Sequence, residues 1–258
     1  MDAVVTAGGI PRPDELLYPY TLGEPKAMLD ICGKPMVQWV LDALSDATRV
    51  DRVVLIGLTE DSGVTCAKPL TFIPNQLSMI ENILGGINKV LEINPSATQV
   101  LIVSSDIPGI TSEMVDWEVE TTSQYDVDLC YNVTTRETVE ARYPGSRRTY
   151  LKLKDIEACG ADLNVLHTSV VSMNMDIWEK LTASRKNPIK QAAMLGFDTL
   201  LLVLLHRITL ENAVKKVTSR LHITGRAIIS PYAEMAMDVD KPHQLEMMRA
   251  DLATRVKH

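Results

Sequence analysis

The stretch DAVVTAGGIPRPDELLYPYTLGEPKAMLDICGKPMVQWVLDAL (residues 2–44) decides how the rest of this chain is read. DAVVT is a short apolar run of strand length that stops at Ala7-Gly8-Gly9. Two glycines at the end of a strand let backbone N–H groups come close to a phosphate, and Arg12 and Lys26 lie near enough in sequence to neutralise it. Pro35 suits the first turn of a helix. Met36, Val37, Val40, Leu41 and Leu44 then fall on one helical face. The order is strand, glycine turn, cation, helix.

Working outward, VVLIGL (53–58) and QVLIVS (99–104) are continuous apolar runs of the kind found in a parallel sheet covered on both faces. Between them a helix is expected over about Ser78 to Glu92, with Met79, Ile80, Ile83, Leu84, Ile87 and Leu91 inward. This alternation predicts an α/β fold with a doubly wound, mostly parallel, Rossmann-like sheet. Residues 127–172 carry short strand-like stretches and read as a β-rich flap beside that sheet. Residues 174–222 read as an inserted helical region, including the apolar run near Leu200. Residues 226–239 return to strand character, and Pro242 opens a last helix. One domain over 1–258 is expected, with a nucleotide-binding half (1–125), an acceptor-side flap and insertion (126–225) and a closing strand and helix (226–258).

The 258 residues can bury a sizeable core. A net charge of −7 with no basic block argues against nucleic-acid binding. Four scattered cysteines form no CxxC pair, so neither zinc spacing nor a redox dithiol is present. The longest apolar run is too short for a membrane span, and a cytoplasmic setting is expected.

Several residues are candidates for chemistry. Lys26 can offset charge at a phosphate, although most loop lysines are simply solvated. Asp106 follows a buried strand, where ligands of open α/β sheets bind; it could hold a divalent cation or merely start a turn. Asp238 and Asp240 would share one face if their segment were a strand, and Asp240 also stands where a helix cap belongs. Ser78 with Glu81 reads equally as a capping box. Arg142, Arg147, Arg148 and Lys152 surround the Pro144-Gly145 turn and could clamp an acceptor phosphate, or form an ordinary solvated hairpin.

These motifs, taken in order, resemble the nucleotidyltransferases of GT-A-like fold, in particular the molybdenum-cofactor nucleotidyltransferase-like (MobA-like) branch. The carriers are Ala7-Gly8-Gly9 with Arg12, Pro25-Lys26, Gly33-Lys34-Pro35, Ser105-Asp106-Ile107-Pro108 and Asp238-Val239-Asp240. The family's third loop glycine is replaced here by Ile10-Pro11. The resemblance implies Mg²⁺ (or Mn²⁺) dependent transfer of an NMP group from an NTP, CTP or GTP favoured, to a small phosphorylated acceptor. It implies catalytic roles for Lys26 and Arg12, and nucleotide contacts at Ala7, Gly8, Gly9, Arg12, Lys26, Ser78 and Asn82. Metal contacts would fall to Asp106, Asp240 and Asp238, and acceptor contacts to Arg147, Arg148, Lys152, Asp162 and Asn164. A homodimer is compatible with it. A nucleotide-sugar-dependent glycosyltransferase of the same fold and a non-catalytic nucleotide-binding regulator are the alternatives.

Overall fold

The computed structural model describes residues 1–76, 78–172, 202–203 and 205–255. The first apolar run is strand β1 (Asp2–Thr6). A loop with the short helix α1 (Tyr18–Thr21) leads to a two-stranded ribbon, β2 (Asp30–Ile31) and β3 (Lys34–Pro35). Helix α2 (Met36–Asp46) starts directly after Pro35, as its fixed φ favours. Strands β4 (Val53–Ile56), β5 (Leu70–Ile73) and β6 (Gln99–Ser104) join β1 in the parallel order β5-β4-β1-β6.

Both faces of this sheet are covered, which is why the centres of β1, β4 and β6 are runs of apolar residues rather than an alternation. Ala3, Val5, Val53, Leu55, Leu101 and Val103 pack with α2 and with α4 (Ser112–Thr122). Val4, Val54, Ile56, Val100 and Ile102 face Ile87 and Val90 of α3 (Met79–Ile93). Helix α3 lies close because residue 86 is glycine: a Cβ there would sit 2.4 Å from Val4 Cγ1. Gly86→Ala is expected to destabilise the protein by roughly 1–3 kcal/mol through overpacking, read as a lowered urea midpoint at unchanged m-value.

Beyond β6 the sheet changes direction. Strand β7 (Leu129–Thr135) is followed by α5 (Arg136–Arg142), β8 (Leu151–Lys152), β9 (Glu157–Gly160) and β10 (Leu163–His167). β10 runs antiparallel to β6, with Leu163 opposite Val103, and antiparallel to β7 on its other edge. β9 and β10 lie end to end along β7, separated by Ala161-Asp162, and β8 pairs with β9. Helix α6 (Leu210–Arg220) leads to β11 (Gly225–Ser230), which pairs parallel with β7. Helix α7 (Pro242–Arg255) returns to the nucleotide half, where Arg249 donates to the Asp30 carbonyl from Nε (3.2 Å) and Nη2 (2.9 Å).

The stretch expected as a flap beside the sheet is therefore part of it. Short strands with mixed polarity looked peripheral, but their backbone groups pair with β6 and β7. Strand structure after β11 ends at Ser230 and a 3-10 turn (Ala233–Ala236) follows, so the alternation expected for Asp238 and Asp240 has no strand to act on. Met79, expected inward, is 60% exposed at the first position of α3. Most of the inserted helical region, with Leu200 and part of the apolar run that follows it, falls outside the described residues. No helix among the described residues is long and apolar enough to cross a membrane.

Candidate active site

Three chain segments far apart in sequence meet at the carboxyl ends of β1 and β6. Lys26 follows the long loop after β1, and its backbone N–H donates to the Gly9 carbonyl at 2.8 Å, which ties lysine and glycine turn together. Its ammonium lies 2.5 Å from Asp106 Oδ2 and 2.7 Å from Asp240 Oδ1. Asp106 stands two residues past β6, where Ser104 Oγ donates to its Oδ1 at 2.5 Å. The segment carrying Asp240 is fastened to the same strand end, because Val239 N–H donates to the Asp106 carbonyl at 2.9 Å. Asp240 lies just ahead of α7, outside it, and Lys241 takes the position directly before Pro242 where a cap would stand; the Asp240 N–H donates to Gln244 Oε1.

Burial works against a charge on Lys26, but Asp106 and Asp240 outweigh it and hold the ammonium protonated above the ordinary lysine range. Asp162, in the break between β9 and β10 inside the sheet, has its pKa pushed up to about 7 by burial and by the nearby Asp106 charge, against the pull of Arg148. Three carboxylates around one ammonium leave the cleft floor short of positive charge. Such a set of hard oxygen donors suits Mg²⁺ or Mn²⁺, which take one or two carboxylates and complete their shell with water and phosphate oxygens. Among the described residues no group of three or more His, Cys, Asp or Glu side chains is arranged to hold a metal ion.

The cleft has a volume of about 590 Å³. Gly8 and Gly9, Lys26, Ser78, Asn82, Asp106, Asp162, Asp238 and Asp240 all border it. Of the other expected residues, Ala7 is buried at the end of β1. Arg12 is turned onto its own loop, with Nε 3.1 Å from Glu15 Oε1, and is 72% exposed. Asp238, in the cleft lining, pairs with the half-buried guanidinium of Arg148. Arg147 is exposed, and Lys152 lies on the exposed strand β8. Arg142 binds Glu234 and Asp251, joining α5 to α7. Asn164 spends its amide on the break between β9 and β10, accepting from Asn132 N–H and donating to the Ala161 carbonyl. Ser78 caps α3 by accepting from Glu81 N–H at 3.2 Å.

Sequence reasoning missed Asn75, Gln76 and the outward face of Met79, which form the cleft wall opposite Asp106. Their signal was only the loop Pro74-Asn75-Gln76 ahead of the Ser78 cap.

With this geometry in view, the model of the MobA-like NTP transferase domain matches residues 3–220. The chain belongs to that family. A hypothetical transferase from Thermus thermophilus is similar at 30% identity and a TM-score of 0.81, over 95% of this chain and 98% of that one. CMP:2-keto-3-deoxy-manno-octonic acid synthetase complexed with CTP shares the fold at 15% identity (TM-score 0.59, 98% of this chain and 99% of that one). So does 4-diphosphocytidyl-2C-methyl-D-erythritol synthase from Anaerococcus prevotii, at 8% identity (TM-score 0.58, 98% and 95%). No curated protein matches. In this MobA-like NTP transferase Gly8-Gly9, Lys26 and Asp106, all within the matched residues, border one cleft together with Asp240, which lies beyond them.

Proposed function

We propose that this MobA-like NTP transferase moves an NMP group from CTP or GTP to a small phosphorylated acceptor, with Mg²⁺ or Mn²⁺ and release of pyrophosphate. The observation that carries the reading is Lys26 held between Asp106 and Asp240 beside the Gly8-Gly9 turn. A permanently protonated ammonium cannot act as a base, but it stabilises charge that builds on an α-phosphoryl group during in-line displacement. An acceptor phosphate oxygen is already ionised at neutral pH, so its attack on the α-phosphorus needs no proton removed. The bond to pyrophosphate breaks as the new P–O bond forms.

Asp106 and Asp240 are the residues that would hold the cation, which supplies neutralisation of the triphosphate and polarisation of the α-phosphoryl oxygens. The Gly8-Gly9 amides receive the phosphates. Asp162, near Asp106 in the cleft lining, accepts from a hydroxyl of the acceptor, and Arg148 keeps Asp238 neutralised.

Pyrophosphate release from CTP, GTP, ATP and UTP with Mg²⁺, over a panel of phosphorylated acceptors, tests this reading. Turnover with one NTP and one acceptor, lost in Asp106→Ala, is the expected result. Nucleotide binding without turnover, unchanged in Asp106→Ala, would move the protein to a regulatory role.

A further inference from the structure

Two asparagines in the cleft wall form an ordered relay. Gln76 backbone N–H donates to Asn82 Oδ1 at 2.7 Å. A backbone N–H can only donate, so it fixes which end of the Asn82 amide faces it. Asn82 Nδ2 must then point the other way, and it donates to Asn75 Oδ1 at 2.9 Å. That leaves Asn75 Nδ2 to donate to the Gly8 carbonyl at 3.2 Å. The next carbonyl, Gly9, accepts from Lys26 N–H at 2.8 Å.

In a trans peptide the C=O and the following N–H point opposite ways. Fixing the Gly8 and Gly9 carbonyls therefore also fixes the N–H groups of Gly9 and Ile10. Pro11 has none to add, so those two donors count for more here than in a loop with a third glycine. Asn75 also occupies the space a side chain on residue 8 would need: a Cβ there would lie 2.1 Å from Asn75 Oδ1.

We propose that Asn82 and Asn75 are positioning residues, a side-chain amide relay that sets the Gly8-Gly9 turn for the triphosphate. The proposal rests on the nucleotidyltransferase reading. Asn82 then acts through Asn75, because its Oδ1 and one of its Nδ2 hydrogens are engaged by Gln76 and Asn75.

The decisive variant is Asn82→Asp. A carboxylate accepts from both Gln76 N–H and Asn75 Nδ2, so the Asn75 amide inverts and turns its oxygen toward the Gly8 carbonyl. Kd for the NTP, measured by calorimetry with CTP, GTP, ATP and UTP in Mg²⁺, should rise about tenfold. KM should rise with it, kcat should change little, and Tm should stay near wild type. A second arm guards against a folding effect. Gly8→Ala and Asn75→Ala should each weaken NTP binding, while the double variant should bind about as well as Asn75→Ala alone, because the clash has gone. Additive losses would mean that Asn75 touches the nucleotide itself, and would overturn the relay. Wild-type binding with an unchanged Kd in Asn82→Asp overturns the relay but keeps the nucleotidyltransferase reading. A wild type that binds none of the four NTPs overturns both.

Discussion

Lys26→Ala is expected to lower kcat for nucleotidyl transfer by about 10²–10³-fold, the scale for removing one preorganised charge or donor from a transition state. The KM for the NTP should move far less, since the glycine turn and the Asn75 anchor remain. Lys26→Arg should not rescue: a planar guanidinium cannot fill the compact position between Asp106 Oδ2 and Asp240 Oδ1, 2.5 and 2.7 Å away. Loss of the ammonium also leaves Asp106, Asp162 and Asp240 facing one another, which raises the proton affinity of Asp162 further, because Lys26 now pulls it down. The pH–rate profile of the alanine variant should therefore gain an ionisation displaced to higher pH. Steady-state kinetics over a pH series decides the matter. A kcat within a few-fold of wild type would remove Lys26 from the chemistry.

Glu118→Gln is expected to stabilise the protein above neutral pH by up to about 3 kcal/mol. Glu118 lies on α4 and is fully buried, and neither carboxyl oxygen has a hydrogen-bond partner. Burial pushes its pKa up to about 7. Asn132 is the smaller, opposing influence that favours the ionised form, but one of its Nδ2 hydrogens goes to the Leu163 carbonyl at 2.6 Å, and its own Oδ1 is unpartnered. The unfolded chain gives up this proton near the ordinary glutamate value of 4.5, and the folded chain keeps it to about 7. Wild-type stability therefore declines as pH rises through that window, and the loss is complete above it. Glutamine has the same shape, carries no charge and offers an N–H₂ in a region with a spare acceptor. Urea unfolding of both proteins at about pH 5 and pH 8 measures the effect. A variant-to-wild-type difference that does not grow with pH would show that Glu118 is not the titrating group.

The parallel half was legible in the sequence because its physics is local. Apolar runs bounded by glycine or polar residues gave β1 and β6, and the periodicity from Met36 and from Ser78 gave α2 and α3, even though Met79 turned outward at the unpacked first turn. The motif order, read through a family resemblance, named Lys26, Asp106 and Asp240 before their 80- and 214-residue separations were seen to close. The antiparallel half was less legible. Whether Leu129–Thr135 and Leu163–His167 stand beside a sheet or inside it depends on which distant strand they pair with, and residue pattern does not encode that. The same holds for side chains whose roles come from a tertiary partner. Arg148 reads as a surface cation until Asp238 is beside it, and Asn82 as a helix residue until Gln76 and Asn75 orient it.

Helix α7, hooked onto the Asp30 carbonyl by Arg249, has a consequence for the protein's life on the ribosome. Synthesis delivers the glycine turn, Lys26 and Asp106 well before Asp240, which lies just ahead of α7. A nascent chain can therefore build the parallel sheet and still lack one of the two carboxylates that share the lysine. Closure of the ion triad is postponed until Asp240 has been made and α7 has docked, so products truncated before it keep Lys26 and Asp106 without the second carboxylate.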